Sequence, residues 1–435
     1  MLSRLAWRVR LGVLASSIAC VGKSPSDTGV VLIEAQARYP GVHSNGSSAV
    51  DVQDAGDLNG DGFDDIVIGS LLHASDQAEE DQLLAAVIYG SSDPSSRSLA
   101  NPDASLSAFV PYEYTMDHAG LVAGVGDVNA DGLDDLLVGS HDGAFVLFGS
   151  AAIGQRWVGD EDARLDQACC GAVAGGVDVT GDGIPDMLVG IGATAILLPG
   201  AAGLSGSLGE SSIQFTDGEP YPESYSILDR GVAMAGDIDG DGLGDMLIGS
   251  RDDFRSDNVF SLVLGKPNLA SMRLSDADLT VVGTDGLYPV ARVGPAGDVN
   301  GDGYKDALLV YDHPYLCLGS DSPDWPDLES QFKFDHGQYG AWGVGDTDGD
   351  GFDDVALGNY DEGAWLAYGA MDPTSMNTDV AGFVGNADPS TGVSVGGGGD
   401  VNADGLSDWL VGALLEDEGD IEDAGATYLL LGEVR

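Results

Sequence analysis

Residues 56–70 read GDLNGDGFDDIVIGS, and from Asp57 onward they follow the pattern Asp-x-(Asn/Asp/Thr)-x-Asp-Gly-x-x-Asp. The pattern occurs seven times, starting at Asp57, Asp127, Asp178, Asp237, Asp298, Asp346 and Asp400, with gaps of 48 to 70 residues. Self-similarity on this scale is the mark of a repeat architecture. The fourth copy, GDIDGDGLGDMLIGS from Gly236, shows how closely the first is matched.

Each copy has the same surroundings. A run of small and apolar residues precedes it, such as Gly120 to Val125 or Gly231 to Ala235. A short β-type run follows, as in Ile66-Val67-Ile68, Leu136-Leu137-Val138 and Met246-Leu247-Ile248. A polar stretch then leads to a second apolar run ending in glycine, at Gly90, Gly149, Gly200, Gly265, Gly319, Gly369 and Gly432. A fourth, weaker run, such as Ser107 to Val110 or Leu279 to Val282, leads into the next copy. Short apolar runs bounded by Gly, Asp and Ser are strands rather than helices. Four strands taken seven times predict an all-β fold, a seven-bladed β-propeller of four-stranded blades. Small residues in each first strand suit blades that converge on a crowded axis.

The ends of the chain bear on how the ring closes. The last repeat stops after its third strand, Tyr428-Leu429-Leu430-Leu431-Gly432, and Val30 to Ala35 is a strand without a blade. Pairing of that N-terminal strand onto the last blade would complete it and remove the open edges that an open array would leave.

Within the first copy, positions one, three, five and nine carry Asp57, Asn59, Asp61 and Asp65. Alternation lets a tight turn aim these oxygens inward, with Gly62 at the bend, and the Phe63 carbonyl at position seven can add another. Hard oxygen donors in a flexible shell suit Ca²⁺, whereas Mg²⁺ demands a stricter octahedron. An EF-hand shares the opening of the motif but needs a Glu at position twelve and flanking helices. Position twelve here is Ile68, Val138, Val189, Ile248, Leu309, Leu357 and Val411, so that reading fails. Carboxylates crowded into a turn without a cation would repel one another.

These repeats resemble the FG-GAP repeats of the integrin alpha-chain propeller, which also occur in bacterial exported proteins. The Asp-rich loop matches that family's calcium loop, and Val146-Leu147-Phe148-Gly149 matches its glycine-ended element. The resemblance runs from about Val30 to Gly432 and implies up to seven calcium ions. It carries positions one, three, five, seven and nine over as ligands. In the first copy these are Asp57, Asn59, Asp61, Phe63 and Asp65, and in the second Asp127, Asn129, Asp131, Leu133 and Asp135. The third copy supplies Asp178, Thr180, Asp182, Ile184 and Asp186, the fourth Asp237, Asp239, Asp241, Leu243 and Asp245. The fifth supplies Asp298, Asn300, Asp302, Tyr304 and Asp306, the sixth Asp346, Asp348, Asp350, Phe352 and Asp354. The seventh supplies Asp400, Asn402, Asp404, Leu406 and Asp408. The third copy departs most, with Thr180 at position three, Val177 for the leading glycine and Pro185 at position eight, so its site is expected to be the weakest.

Composition narrows the function. The 435 residues carry 72 Asp plus Glu against 17 Lys plus Arg, a net charge of −55. Such a surface repels phosphate backbones and anionic lipid, and cations are its natural counter-species. Residues 1–19 read as an export leader, with Arg4, Arg8 and Arg10 before the apolar Leu11 to Ile18. Cys20 follows at once, as in a bacterial lipobox, although Ser17 stands where such boxes carry Leu. Lipidation at Cys20 and free secretion both stay open, and either places the chain outside the cell or on its surface. Residues 20–29 read as a linker and 30–435 as one propeller. Cys169-Cys170 could be two thiols or a vicinal disulfide, and Cys317 reads as a small buried hydrophobe.

The expected role is a calcium-binding scaffold for adhesion, with an unidentified protein or glycan as ligand and no nucleic acid. The connections opposite the Asp loops are its candidate binding face: Leu71 to Leu83, and the segments around Tyr112, Tyr114, Tyr221, Tyr225, Tyr288 and Tyr339. The alternatives are a propeller-type carbohydrate-active enzyme (lyase or hydrolase) and a purely structural surface protein. Against an enzyme, His43, His73, His118, His141, His313 and His336 show no metal-type spacing, and no G-x-S-x-G elbow occurs. Asn45-Gly46-Ser47 is a glycan sequon only in a host that adds such glycans.

Overall fold

The computed structural model describes residues 31–435 except 42–47, 73–79, 111–117, 141, 167–170, 217–230, 253–256, 284–291, 338–339, 361–362, 377–379, 386–389 and 398. The leader, Cys20, Cys169-Cys170, the sequon, His43, His73, His141 and the six loop tyrosines named above lie outside the described residues.

Seven small sheets, antiparallel apart from short parallel edge strands, stand around a common axis and form a seven-bladed β-propeller. The first blade shows the plan: Ser48–Gly56, Asp65–Leu72, Glu80–Ile88 and Ala104–Val110, each paired with the next. The second to sixth blades span 121–165, 172–216, 232–283, 292–333 and 340–383. Each first strand packs on the first strand of the next blade, and Thr391–Gly397 of the seventh packs back on Ser48–Gly56. The ring is therefore closed. Alanine and glycine are frequent in these inner strands, as the crowding requires. The helical content of the described residues is confined to short 3₁₀ turns.

Side chains on the two faces of each sheet bury themselves against the neighbouring blades. This yields seven apolar cores, one in each gap between blades. Val67, Val87, Leu136 and Phe145 fill the gap between the first two blades. Tyr39, Ile66, Ile88 and Leu410 fill the gap between the seventh and the first. Cys317 is fully buried between the fourth and fifth blades, as its apolar surroundings in the sequence imply.

The seventh blade is completed from the N-terminus, but by a later segment than expected. Ala37–Pro40, not Val30 to Ala35, pairs antiparallel with Ala426–Leu430, with Arg38 opposite Tyr428. Val31–Leu32 instead adds a parallel strand to the sixth blade. The reason lies in a pattern repeated elsewhere. In the second, third and fourth blades, the connection before the fourth strand leaves a short parallel strand on the preceding blade, as Gln155–Trp157 does on the first. Residues 31–40 thus replace a whole third-to-fourth connection together with the strand it leads to. Apolar character in Val30 to Ala35 marked a strand but not its partner.

A charged network fastens this closure. Arg38 donates to Glu416 and Glu418 at 2.6–2.9 Å, and the Tyr428 hydroxyl donates to Glu416 at 2.6 Å. Glu416 is buried, so removing Arg38 would strand a charge. Tyr39 beside it is 1 % exposed. The Tyr39→Ala variant is expected to lose about 3–5 kcal/mol by leaving a cavity in the closing core, measured by denaturant unfolding. A loss under about 1 kcal/mol would mean that the N-terminal strand does not hold the ring.

Candidate metal centre

The seven Asp loops join the first and second strands of their blades and lie together on one face. Position six carries glycine with φ between 86° and 95° in all seven, the left-handed bend expected from the sequence. Position four is left-handed as well. Its five glycines have φ of 71–78°, and Ala130 and Ala403 adopt 61° and 55° despite their Cβ.

Position one organises the turn. Asp57 accepts the backbone N–H groups of Gly60, Asp61 and Gly62 at 2.7–3.1 Å, and Asp178, Asp298 and Asp346 do the same. Position five accepts the N–H of position seven in every copy, at 2.8–3.1 Å. Position twelve lies in a buried strand in all seven, which removes the EF-hand geometry.

Position nine does something the motif alone did not reveal. Its carboxylate is 0–2 % exposed in every copy. One oxygen accepts the N–H of position two at 2.7–3.1 Å. The other accepts the N–H of the glycine that ends the third strand, at 2.8–3.0 Å. Each position-nine Asp therefore staples the loop to the third strand of its own blade. The glycine is needed for contact: a Cβ on Gly319 would lie 2.3 Å from the Lys305 carbonyl, and Gly90, Gly149, Gly200, Gly265 and Gly369 meet the same obstacle. The internal repetition of Asp and glycine together was the sequence signal for this pairing.

The loops are also tied to one another. The N–H of position eight donates to the position-one carbonyl of the preceding blade at 2.8–3.4 Å in six copies. Pro185 occupies that position in the third copy and has no N–H to give, so the ring of bonds opens between the second and third blades.

Two loops bring three carboxylates within reach of a single ion. Ligand atoms of Asp237, Asp239 and Asp245 lie within 4.8 Å of one another, as do those of Asp346, Asp348 and Asp354. These two acidic triads could hold a metal ion. In the other loops Asn or Thr takes position three, and two of them carry a further sign: the Asn129 Oδ1 and Thr180 Oγ1 atoms are buried without a hydrogen-bond partner. An unpaired buried oxygen beside carboxylates is one that a bound cation would satisfy. All donors are oxygens, so the residues fit a hard divalent cation. Burial and, secondarily, the neighbouring carboxylates push Asp65, Asp135, Asp245, Asp306, Asp354 and Asp408 up to about 7, although backbone N–H donors pull the other way. Asp186 is raised by burial too.

The candidate binding face is described only in part. His118 lies in a short strand paired with Leu71–Leu72. His313 sits at the turn after the fifth blade's second strand, 3.3 Å from Asp312, and His336 stacks on Trp365 at 4.2 Å.

No protein-family model and no curated protein matches this chain. Among solved structures it is similar to the BP39L lectin from Burkholderia pseudomallei, at 12% identity and a TM-score of 0.49, covering 91% of this chain and 98% of that one. It is also similar to BBS1N in complex with ARL6DN, in crystals soaked with mercury and with lead. There the identity is 10% and the TM-score 0.48, over 93% of this chain and 99% and 97% of the other.

Proposed function

We propose that this chain is an exported, calcium-loaded β-propeller of the FG-GAP type, acting as an extracellular or cell-surface binding scaffold for a protein or glycan. The observation that carries the reading is the convergence of three carboxylates within 4.8 Å in the fourth and sixth loops, on a turn that recurs seven times. Positions one, three, five and nine would hold the ion with side-chain oxygens, and the position-seven carbonyl would complete the shell. Calcium would neutralise part of the −55 charge where it is most concentrated. The expected leader at residues 1–19 supports export to a compartment where calcium is plentiful, and loops of this kind bind on the order of 10⁻⁴–10⁻³ M. In this reading the metal stiffens one face, while the connections of the opposite face are free to vary and meet the ligand. Adhesion is the role that the family resemblance suggests, and no catalytic residue is proposed.

Calcium binding and the backbone staple are separable by mutation in the fifth loop. Asp302 is exposed and holds only local groups, whereas Asp306 is buried and accepts two strand-linking N–H groups. Asp302→Asn should leave melting in chelator within about 0.5 kcal/mol of wild type and remove one ion from the calorimetric count. Asp306→Asn should cost about 1–3 kcal/mol even in chelator, because an amide N–H₂ cannot accept a hydrogen bond. The intact chain should bind close to seven ions and melt well above its chelated form. Absence of both heat and shift would reject calcium.

Proton and metal should compete at position nine. Its folded-state pKa lies above the ordinary value of 3.8, so the metal-free fold retains protons that the unfolded chain releases. The resulting stability is present below about pH 4 and is lost as pH rises to about 7. Melting of the chelated chain should therefore drop between pH 5 and 7.5, while the stabilisation by calcium grows over the same interval. A calcium effect independent of pH across that range would place the ion elsewhere.

A further inference from the structure

We propose that Arg435 is a resident counter-ion of the sixth loop that lowers its affinity for calcium relative to the fourth; the inference rests on the calcium reading above. The two loops have the same four carboxylate positions, yet their surroundings differ. Residues 433–435 run along the sixth loop, where the Glu433 N–H donates to the Thr347 carbonyl at 2.9 Å and the Arg435 N–H to the Asp348 carbonyl at 3.4 Å. The Arg435 guanidinium lies 4.0 Å from the centre of the Tyr368 ring, and its Nη1 is 3.7 Å from Asp348 Oδ2. Tyr368 directly precedes Gly369, whose N–H binds the position-nine Asp354. The arginine is thus held by its own backbone and by a ring that belongs to the loop's frame.

Asp348 is the position-three member of the acidic triad, and its side chain is 5 % exposed. Its Oδ1 accepts the Asp350 N–H at 3.2 Å, and its Oδ2 is the oxygen that Arg435 approaches. In the fourth loop Asp239 Oδ1 accepts the Asp241 N–H at 3.1 Å in the same way. Among the described residues, no ion pair with a basic side chain is seen at Asp239. A positive charge 3.7 Å from a ligand oxygen, on a side chain 45 % exposed, favours the calcium-free loop modestly and must be displaced or tolerated when Ca²⁺ arrives, and both effects weaken binding. The fourth loop fills first and the sixth later, at the calcium concentration where Arg435 yields.

The test uses the full chain, titrated with calcium chloride in a calorimeter and melted in chelator and in millimolar calcium. Arg435→Gln should raise the affinity of one site by roughly two- to fivefold and leave the others unchanged. It should also lower melting in chelator while enlarging the shift produced by calcium. Arg435→Lys, which keeps the charge, should stay near wild type, and Arg435→Gln placed on Asp348→Asn should have no effect on affinity. Unchanged affinities in Arg435→Gln, or an equal loss of stability with and without calcium, would overturn the proposal and leave Arg435 as a packing contact. Absence of calcium heat from wild type and variants alike would instead remove the calcium reading on which it rests.

Discussion

The buried carboxylate at position nine is the contact on which each blade depends. Carboxylates in protein interiors are costly unless hydrogen bonds replace lost water. Here Asp306 and its six counterparts each accept two backbone N–H groups, one from the start of the loop and one from the end of the third strand. A single side chain thus fixes the spacing between the first, second and third strands. It also explains the glycine that ends the third strand, since any larger residue would collide with the loop backbone at the point where the N–H must approach. Motif and glycine are two halves of one interaction, 13 to 25 residues apart.

Blades built this way still need one another. No single sheet can bury both of its faces, and the seven cores lie between blades rather than inside them. A repeat array of this kind is stable only when every gap is filled, including the last. That is why residues 31–40 matter out of proportion to their length: they bring Tyr39 into the final core and Arg38 onto the buried Glu416. The loop ring adds a second, polar belt on one face, interrupted only where Pro185 has no N–H to give.

Much of this was legible in the sequence because it is repeated. Seven copies averaged out local noise, so strand number, blade number, the glycine bend and the strand character of position twelve could be read directly. Features that occur once were not legible. Nothing in Val30 to Ala35 distinguishes a strand of the seventh blade from one of the sixth, since both partners are apolar and the choice is set by the geometry of the connection. Arg435 gave no signal, because its meaning comes from Tyr368 and Asp348, both far off in sequence. The carboxylate cluster itself was read as ligands alone, and its role as a backbone acceptor needed the third strand in place to be seen.

That double role bears on what a cation can add. Local preference alone would keep Ala130 and Ala403 out of left-handed backbone. Instead both adopt it, at 61° and 55°, close to the glycines of the other copies. The conformation is over-determined by the hydrogen bonds of positions one, five and nine. The backbone hydrogen bonds of the loop thus specify its shape, and a cation held there would act on the charge that this shape gathers. The same frame gathers the carboxylates of the fourth and sixth loops within 4.8 Å of one another, so in the proposed reading shape and charge come from one set of side chains.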